Sequence, residues 1–226
     1  QVDAATGYAI QAMGIELRQQ RGERIVGVKM GLTSRAKMEQ VGVDEVTWGR
    51  LTDAMRREEG GTLVRAEFIH PRAEPEIAFV LGRRLTGEVS MAEAALAIEA
   101  VAPAVEIIDS RYENFKFSLG DVVADNSSSA AFFIGPYARP DVDIANLGMV
   151  LSIDGKPREV GTSAAILGHP LRALVAAARM TARAGHVLEP GDIVLAGAAT
   201  AAVPLTPGMQ VEVEVQDIGR VRFDVS

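Results

Sequence analysis

Glu74-Pro75-Glu76-Ile77-Ala78-Phe79-Val80-Leu81 is the stretch that decides how this chain folds. A run of Ile, Phe, Val and Leu closed by a Gly82-containing loop reads as a β-strand. Side chains on a strand alternate faces, so Glu74, Glu76, Ala78 and Val80 share one face and Ile77, Phe79 and Leu81 the other. The two carboxylates then point the same way at roughly 7 Å spacing. Side by side they repel each other and resist desolvation, and a shared divalent cation removes both penalties. The competing reading is the solvated start of an edge strand, where Pro75 is tolerated.

Working outward, Tyr8, Ala12 and Ile15 recur at helical spacing between Val2 and Arg21, and Gly22 offers a stop. Ile25 to Met30 is a short strand. Ser34 caps a helix over Arg35 to Gln40 that Gly42 ends. Trp48 to Met55 fits either element, and Glu58-Glu59-Gly60-Gly61 is a turn. Towards the C-terminus, Ser90 and Glu93 make a capping box for a helix running to about Val101, with Pro103 as its stop. Strands follow at Ala104 to Asp109, Ala131 to Ile134, Leu147 to Ile153 and Val211 to Val215, with Asp154-Gly155 a hairpin turn. Leu171, Leu174, Val175, Ala178 and Ala182 form one stripe of a helix beginning near Pro170 and ending at Gly185. Strands dominate without a regular βαβ rhythm, which predicts an α+β fold with a mixed, curled sheet. The expected organisation is an N-terminal helical and strand region over residues 1–60 and a catalytic β-roll over 61–226. The chain opens on Gln1 within what reads as a helix, so further residues are expected in front of it.

Glu106 lies in Ala104-Val105-Glu106-Ile107-Ile108, apolar enough to be buried on both faces. A buried carboxylate is costly unless something pairs it. Together with Glu74 and Glu76 it makes an oxygen-only donor set on two strands, which suits Mg²⁺ or Mn²⁺. Arg111 or Lys29 is its alternative partner. Lys29 sits in Ile25-Val26-Gly27-Val28-Lys29-Met30, too apolar for an ordinary surface lysine. It is a candidate for gripping a substrate carboxylate or donating a proton; a salt bridge to one of the glutamates is the alternative. Asp109, of opposite parity to Glu106, is expected to cap or to pair with Arg111. Asp125-Asn126-Ser127-Ser128-Ser129 is either a plain turn or a set of orienting donors. Lys116, between Phe115 and Phe117, is placed at the pocket wall, and His169 before Pro170 at a helix entry.

Composition narrows the chemistry. The chain of 226 residues has no cysteine, which excludes disulfides and thiolate sites and fits a cytoplasmic protein. A net charge of −7 argues against nucleic acid or anionic membranes as partners. There is no phosphate-binding glycine loop, no HExxH pattern and no Ser-His-Asp order.

Several blocks in order carry a resemblance: Gly27-Val28-Lys29-Met30-Gly31-Leu32-Thr33-Ser34, Pro71-Arg72-Ala73-Glu74-Pro75-Glu76, Val105-Glu106-Ile107-Ile108-Asp109-Ser110-Arg111, Val123-Ala124-Asp125-Asn126-Ser127-Ser128 and Leu167-Gly168-His169-Pro170. The chain resembles the fumarylacetoacetate hydrolase superfamily, within the branch of vinylpyruvate (2-hydroxypentadienoate) hydratases and 4-oxalocrotonate decarboxylases. The resemblance implies a mixed β-sandwich or roll with flanking helices, a homo-oligomer, and Mg²⁺ (or Mn²⁺) on Glu74, Glu76 and Glu106. It implies a lyase acting on a small 2-oxo dicarboxylate during aromatic breakdown, and a complex with a hydratase. Lys29 and Ser128 are the expected catalytic residues; Asn126, Ser127, Arg111 and Lys116 are expected to bind substrate. Hydratases of this branch carry an Asp where Thr47 stands in Asp44-Glu45-Val46-Thr47-Trp48-Gly49, and Arg111 to Phe117 also follows the decarboxylase pattern. The expected reaction is therefore decarboxylation of 2-oxohex-3-enedioate, with 2-hydroxypenta-2,4-dienoate hydration as the alternative. An acylpyruvate hydrolase needs a His-Glu dyad, and no His stands near the right blocks. A non-catalytic 2-oxo-acid-binding partner of a hydratase has no reason to keep these buried charges.

Overall fold

Strands account for the centre and end of the chain, as the alternating and apolar runs require. The computed structural model describes residues 2–34, 38 and 46–226. The strands are β1 (Ile25–Gly31), β2 (Thr47–Thr52), β3 (Arg56–Arg57), β4 (Thr62–Leu63), β5 (Arg72–Leu81), β6 (Ile98–Ile108), β7 (Ser129–Ile134), β8 (Gly148–Ile153), β9 (Lys156–Thr162), β10 (Ile193–Leu195), β11 (Val203–Pro204), β12 (Gln210–Val215) and β13 (Gly219–Val225). Helices α1 (Ala4–Gln20), α2 (Met91–Leu96), α3 (Leu119–Ala124) and α4 (Leu171–Arg183) join them. Apart from Met38, the helix expected over Arg35 to Gln40 and its stop at Gly42 lie outside the described residues.

The larger sheet runs β2-β1-β10-β5-β6-β7-β3, with β11 added on β5; the smaller runs β4-β13-β12-β8-β9. Pairs β1–β10, β3–β7 and β4–β13 are parallel and the others antiparallel, so the sheets are mixed as the sequence predicts. Strands from either side of residue 60 hydrogen-bond within the larger sheet. Ile77, Phe79, Val105, Ile107 and Phe133 of the larger sheet share one core with Met149, Leu151, Val213 and Phe223 of the smaller. Phe133 stacks on Phe223 with ring centroids 4.1 Å apart. The opposite face of the larger sheet is also buried, around Leu51, Ala78, Ala102, Ala104 and Phe132. Burial on both faces explains why β5 and β6 are nearly continuous apolar runs. The Asp154-Gly155 hairpin joins β8 to β9 with positive φ at both residues (52° and 71°), as a two-residue turn of this twist needs.

One expectation is corrected. The capping box at Ser90 and Glu93 is present, but its helix stops at Leu96 and β6 begins at Ile98, five residues before Pro103. Glu99 and Ala100 are good helix formers. Val101 and Ala102 nevertheless pair with Phe79 and Ala78 and lose all solvent contact, and that tertiary burial outweighs local preference. Pro103 does not break the strand: its carbonyl accepts from Gly135 N–H, so its nitrogen faces the point where β7 has already ended. Pro75 is placed in the same way, with its carbonyl on Ala199 N–H beyond the end of β10.

Candidate active site

Glu74 and Glu106 stand directly opposite each other across β5 and β6, and Glu76 is two residues further along the same face. On the other side, Lys29 pairs with Leu195 and Leu195 with Ala78. Strand β10 ends at Leu195, and the chain beyond it stays bonded to β5 through Ala196 and Ala199 N–H. Lys29 and the glutamates thus share one face of the sheet, which opens to a pocket at Lys29 and Glu74. Oxygen atoms of Glu74, Glu76 and Glu106 lie within 4.8 Å of one another, and all three residues are buried. Lys29 Nζ is 2.9 Å from Glu106 Oε2 and donates to the Ser127 carbonyl at 2.9 Å. Gly197 N–H donates to Glu76 Oε2 at 2.7 Å, whereas Glu76 Oε1 and Glu106 Oε1 are buried with no hydrogen-bond partner among the described residues.

Three carboxylates and one ammonium share this buried site. Burial, reinforced by Glu106 and Glu74 and opposed by Lys29, pushes the Glu76 carboxyl well above the usual carboxylate range. Burial also raises Glu106, against the pull of Lys29. For Lys29 burial works against charge, but the combined fields of Glu106, Glu74 and Glu76 win and raise its pKa. Three buried all-oxygen donors, of which Glu76 and Glu106 resist ionisation without a cation, fit a divalent ion such as Mg²⁺ or Mn²⁺.

The opening leads into a cavity of about 590 Å³. Lys29, Thr47, Glu74, Ser127 and Ser128 form its polar end; Arg72 and Lys116 add two cations, and Leu32, Phe115, Phe117 and Val122 supply apolar wall. Arg72 is held 4.1 Å over the Phe115 ring, which stacks on His70 at 4.6 Å. Ser128 Oγ is buried without a partner. Asn126, Ser127 and Ser128 all carry positive φ (51°, 53° and 59°), a left-handed turn costly for side-chain-bearing residues. Asn126 pins it to β2: its Oδ1 accepts from Arg50 N–H at 2.8 Å and its amide nitrogen donates to the Arg50 carbonyl at 2.9 Å. Ser127 Oγ donates to the Trp48 carbonyl at 3.0 Å. A Cβ on Gly49 would fall 2.5 Å from the Asn126 carbonyl oxygen, so β2 needs glycine there.

Of the residues singled out in the sequence, Glu74, Glu76, Glu106, Lys29, Ser127, Ser128 and Lys116 converge on this cavity or its floor. Asn126 and Arg111 do not line it. Both ends of the Asn126 amide are taken by Arg50, and the largely exposed Arg111 side chain is bound by Asp125. Asp109 does not pair with Arg111; its carboxylate caps the Ile69 and His70 N–H groups, each at 2.8 Å. His169 Nδ1 accepts from Leu171 N–H at the start of α4, the helix-entry role expected of it. Arg72 was not singled out as a site residue, although its parity with Glu74 and Glu76 on β5 carried the signal. Gly197 and the Ala201-Ala202 wall come from a distant loop and carried no such signal.

A family model described as "Fumarylacetoacetate (FAA) hydrolase C-terminal" matches residues 25–226. A 4-oxalocrotonate decarboxylase of Pseudomonas sp is 58% identical over 217 residues, covering 96% of this chain and 85% of that protein. A 2-keto-4-pentenoate hydratase of Paraburkholderia xenovorans (strain LB400) is 39% identical, covering 96% and 82%. The solved structure of 4-oxalocrotonate decarboxylase from Pseudomonas putida G7, complexed with magnesium and adipate, superposes with a TM-score of 0.96 at 40% identity, covering 99% of this chain and 86% of that one. With a family match over residues 25–226 and this likeness across nearly its whole length, the chain belongs to the fumarylacetoacetate hydrolase family.

Proposed function

We propose that this protein decarboxylates 2-oxohex-3-enedioate to 2-hydroxypenta-2,4-dienoate with the help of a divalent cation. The observation that carries the proposal is a buried cluster of three carboxylates beside a cavity that also holds two cations, Arg72 and Lys116. A substrate with a carboxylate at each end matches that charge layout. The relative at 58% identity and the adipate bound in the Pseudomonas putida G7 enzyme support the same class of ligand. Glu74, Glu76 and Glu106 would hold Mg²⁺ or Mn²⁺, which supplies Lewis-acid stabilisation of negative charge on a 2-oxo oxygen.

The C5–C6 bond breaks and CO₂ leaves. Its electron pair becomes the C4–C5 double bond, the C3–C4 pair shifts to C2–C3, and the 2-oxo oxygen takes a proton. Lys29, kept charged by the glutamates, presents a cation where that oxygen gains charge. Ser128 Oγ is placed to donate to the bound acid. Leu32, Phe115, Phe117 and Val122 strip water from the departing carboxylate. Thr47, at the polar end with Lys29, adds no further anion to the carboxylate cluster. Assembly of several copies and docking to a hydratase that consumes the product extend the proposal, and sedimentation with and without the hydratase tests both.

The test is evolution of CO₂ from 2-oxohex-3-enedioate with Mg²⁺, abolished by EDTA. Metal-dependent loss of 2-hydroxypenta-2,4-dienoate without CO₂ would replace the proposal with hydration, the reaction named for the relative at 39% identity.

A further inference from the structure

A second cavity of about 240 Å³ lies on the opposite face of β1 and β2 from Lys29. Arg50, 5% exposed, lines it beside Trp48 and His186. Its guanidinium lies 4.6 Å over the Trp48 ring, donates to Gln11 Oε1 at 2.8 Å and meets His186 Nε2 at 2.5 Å. These partners are all neutral, since His186 must accept to make that contact. Among the described residues no carboxylate pairs with Arg50. Two acids share the cavity lining but are engaged elsewhere: Glu189 is 3.6 Å from Arg84, and the Asp192 carboxylate accepts from Glu189 N–H at 2.8 Å. A buried guanidinium that faces a cavity and has no carboxylate partner among the described residues is expensive unless an anion visits it.

We infer that this cavity is a second binding site, for a small oxyanion, carboxylate or phosphate, held by Arg50 and His186. It does not depend on the reaction proposed above. Its backbone reaches the active site, because Arg50 N–H and C=O are clipped by Asn126 and the Trp48 carbonyl accepts from Ser127. Anion binding here therefore bears on the left-handed turn beneath Lys29.

Trp48 is the only tryptophan in the chain and lines this cavity, so its fluorescence reports on it. The experiment titrates the magnesium-loaded protein with inorganic phosphate in one arm and acetate in the other. A saturable change in Trp48 emission is expected in at least one arm, the tighter arm identifying the headgroup. Arg50→Met and, separately, His186→Gln should weaken it at least about tenfold, while Arg72→Met in the first cavity leaves it intact. Met replaces an unpaired buried charge with apolar volume, so that variant is expected to fold; His186→Gln provides an independent second variant. No saturable response up to about 10 mM of either anion overturns the inference. So does a response that survives both variants, or one that Arg72→Met removes.

Discussion

Replacing Glu76 by Gln separates what the site does for metal from what it costs the fold. Glu76 has no solvent exposure and its carboxyl is held well above its ordinary range, so ionising it in the metal-free protein opposes folding. Gln keeps an oxygen to accept the 2.7 Å bond from Gly197 and removes the group that resists ionisation. Near pH 8 the metal-free variant should therefore melt above the metal-free wild type. Magnesium should act oppositely on the two proteins. At a concentration about 100 times its Kd it adds about 2.7 kcal/mol to the wild type, or roughly 5–11 °C. The variant, missing a direct ligand, should lose more than about 100-fold in metal affinity, and its Tm should ignore the ion. Thermal melts with EDTA and with Mg²⁺, paired with calorimetric Mg²⁺ titration, read both effects. A metal-free variant less stable than wild type, or one with an undiminished magnesium shift, would refute the account of the triad.

Metal-free stability should depend on pH through the same group. Because the folded pKa of Glu76 is raised above the ordinary value of 4.5, the native state keeps a proton that the unfolded chain has lost. Stability then falls as pH rises through that window, by up to about 1.4 kcal/mol per pH unit; melts in EDTA should show a shallower decline in Glu76→Gln, where only Glu106 remains raised, than in wild type. Lys29→Met leaves Glu106 buried without its ion pair, a cost of about 3–5 kcal/mol to the metal-free fold, and turnover should be lost; wild-type rates would remove Lys29 from the chemistry. Thr47→Asp sets a further carboxylate at the polar end beside Lys29, where repulsion of about 1–3 kcal/mol against the bound 2-oxo acid should lower kcat for CO₂ release roughly 10–100-fold. Gly49→Ala drives a Cβ into the Asn126 carbonyl, and about 1–3 kcal/mol of lost stability with a raised KM is expected from melts and steady-state rates.

The sequence alone determined the elements whose signal is local. Alternation at Glu74 to Leu81 gave the strand, its faces and the shared direction of two carboxylates, and the apolar setting of Glu106 and Lys29 marked them as buried charges. The same parity extends to Arg72, and Val221, Phe223 and Val225 alternate just as cleanly along β13. Tertiary structure decided the rest. Residues Ile98 to Ala102 have a helical composition and became strand because β5 offered them a fully buried partner. Only the register of β5 against β6 sets Glu74 opposite Glu106, and only the pairing of β1 and β5 with β10 puts Lys29 on their face. Lys29 and Ser127 are 98 residues apart in the chain yet 2.9 Å apart across the site. Asn126 shows the limit most plainly. Its polar side chain suggested a substrate ligand, but the backbone of Arg50 claims both its ends, because a buried amide takes the partners the fold places beside it, and a sequence does not name them.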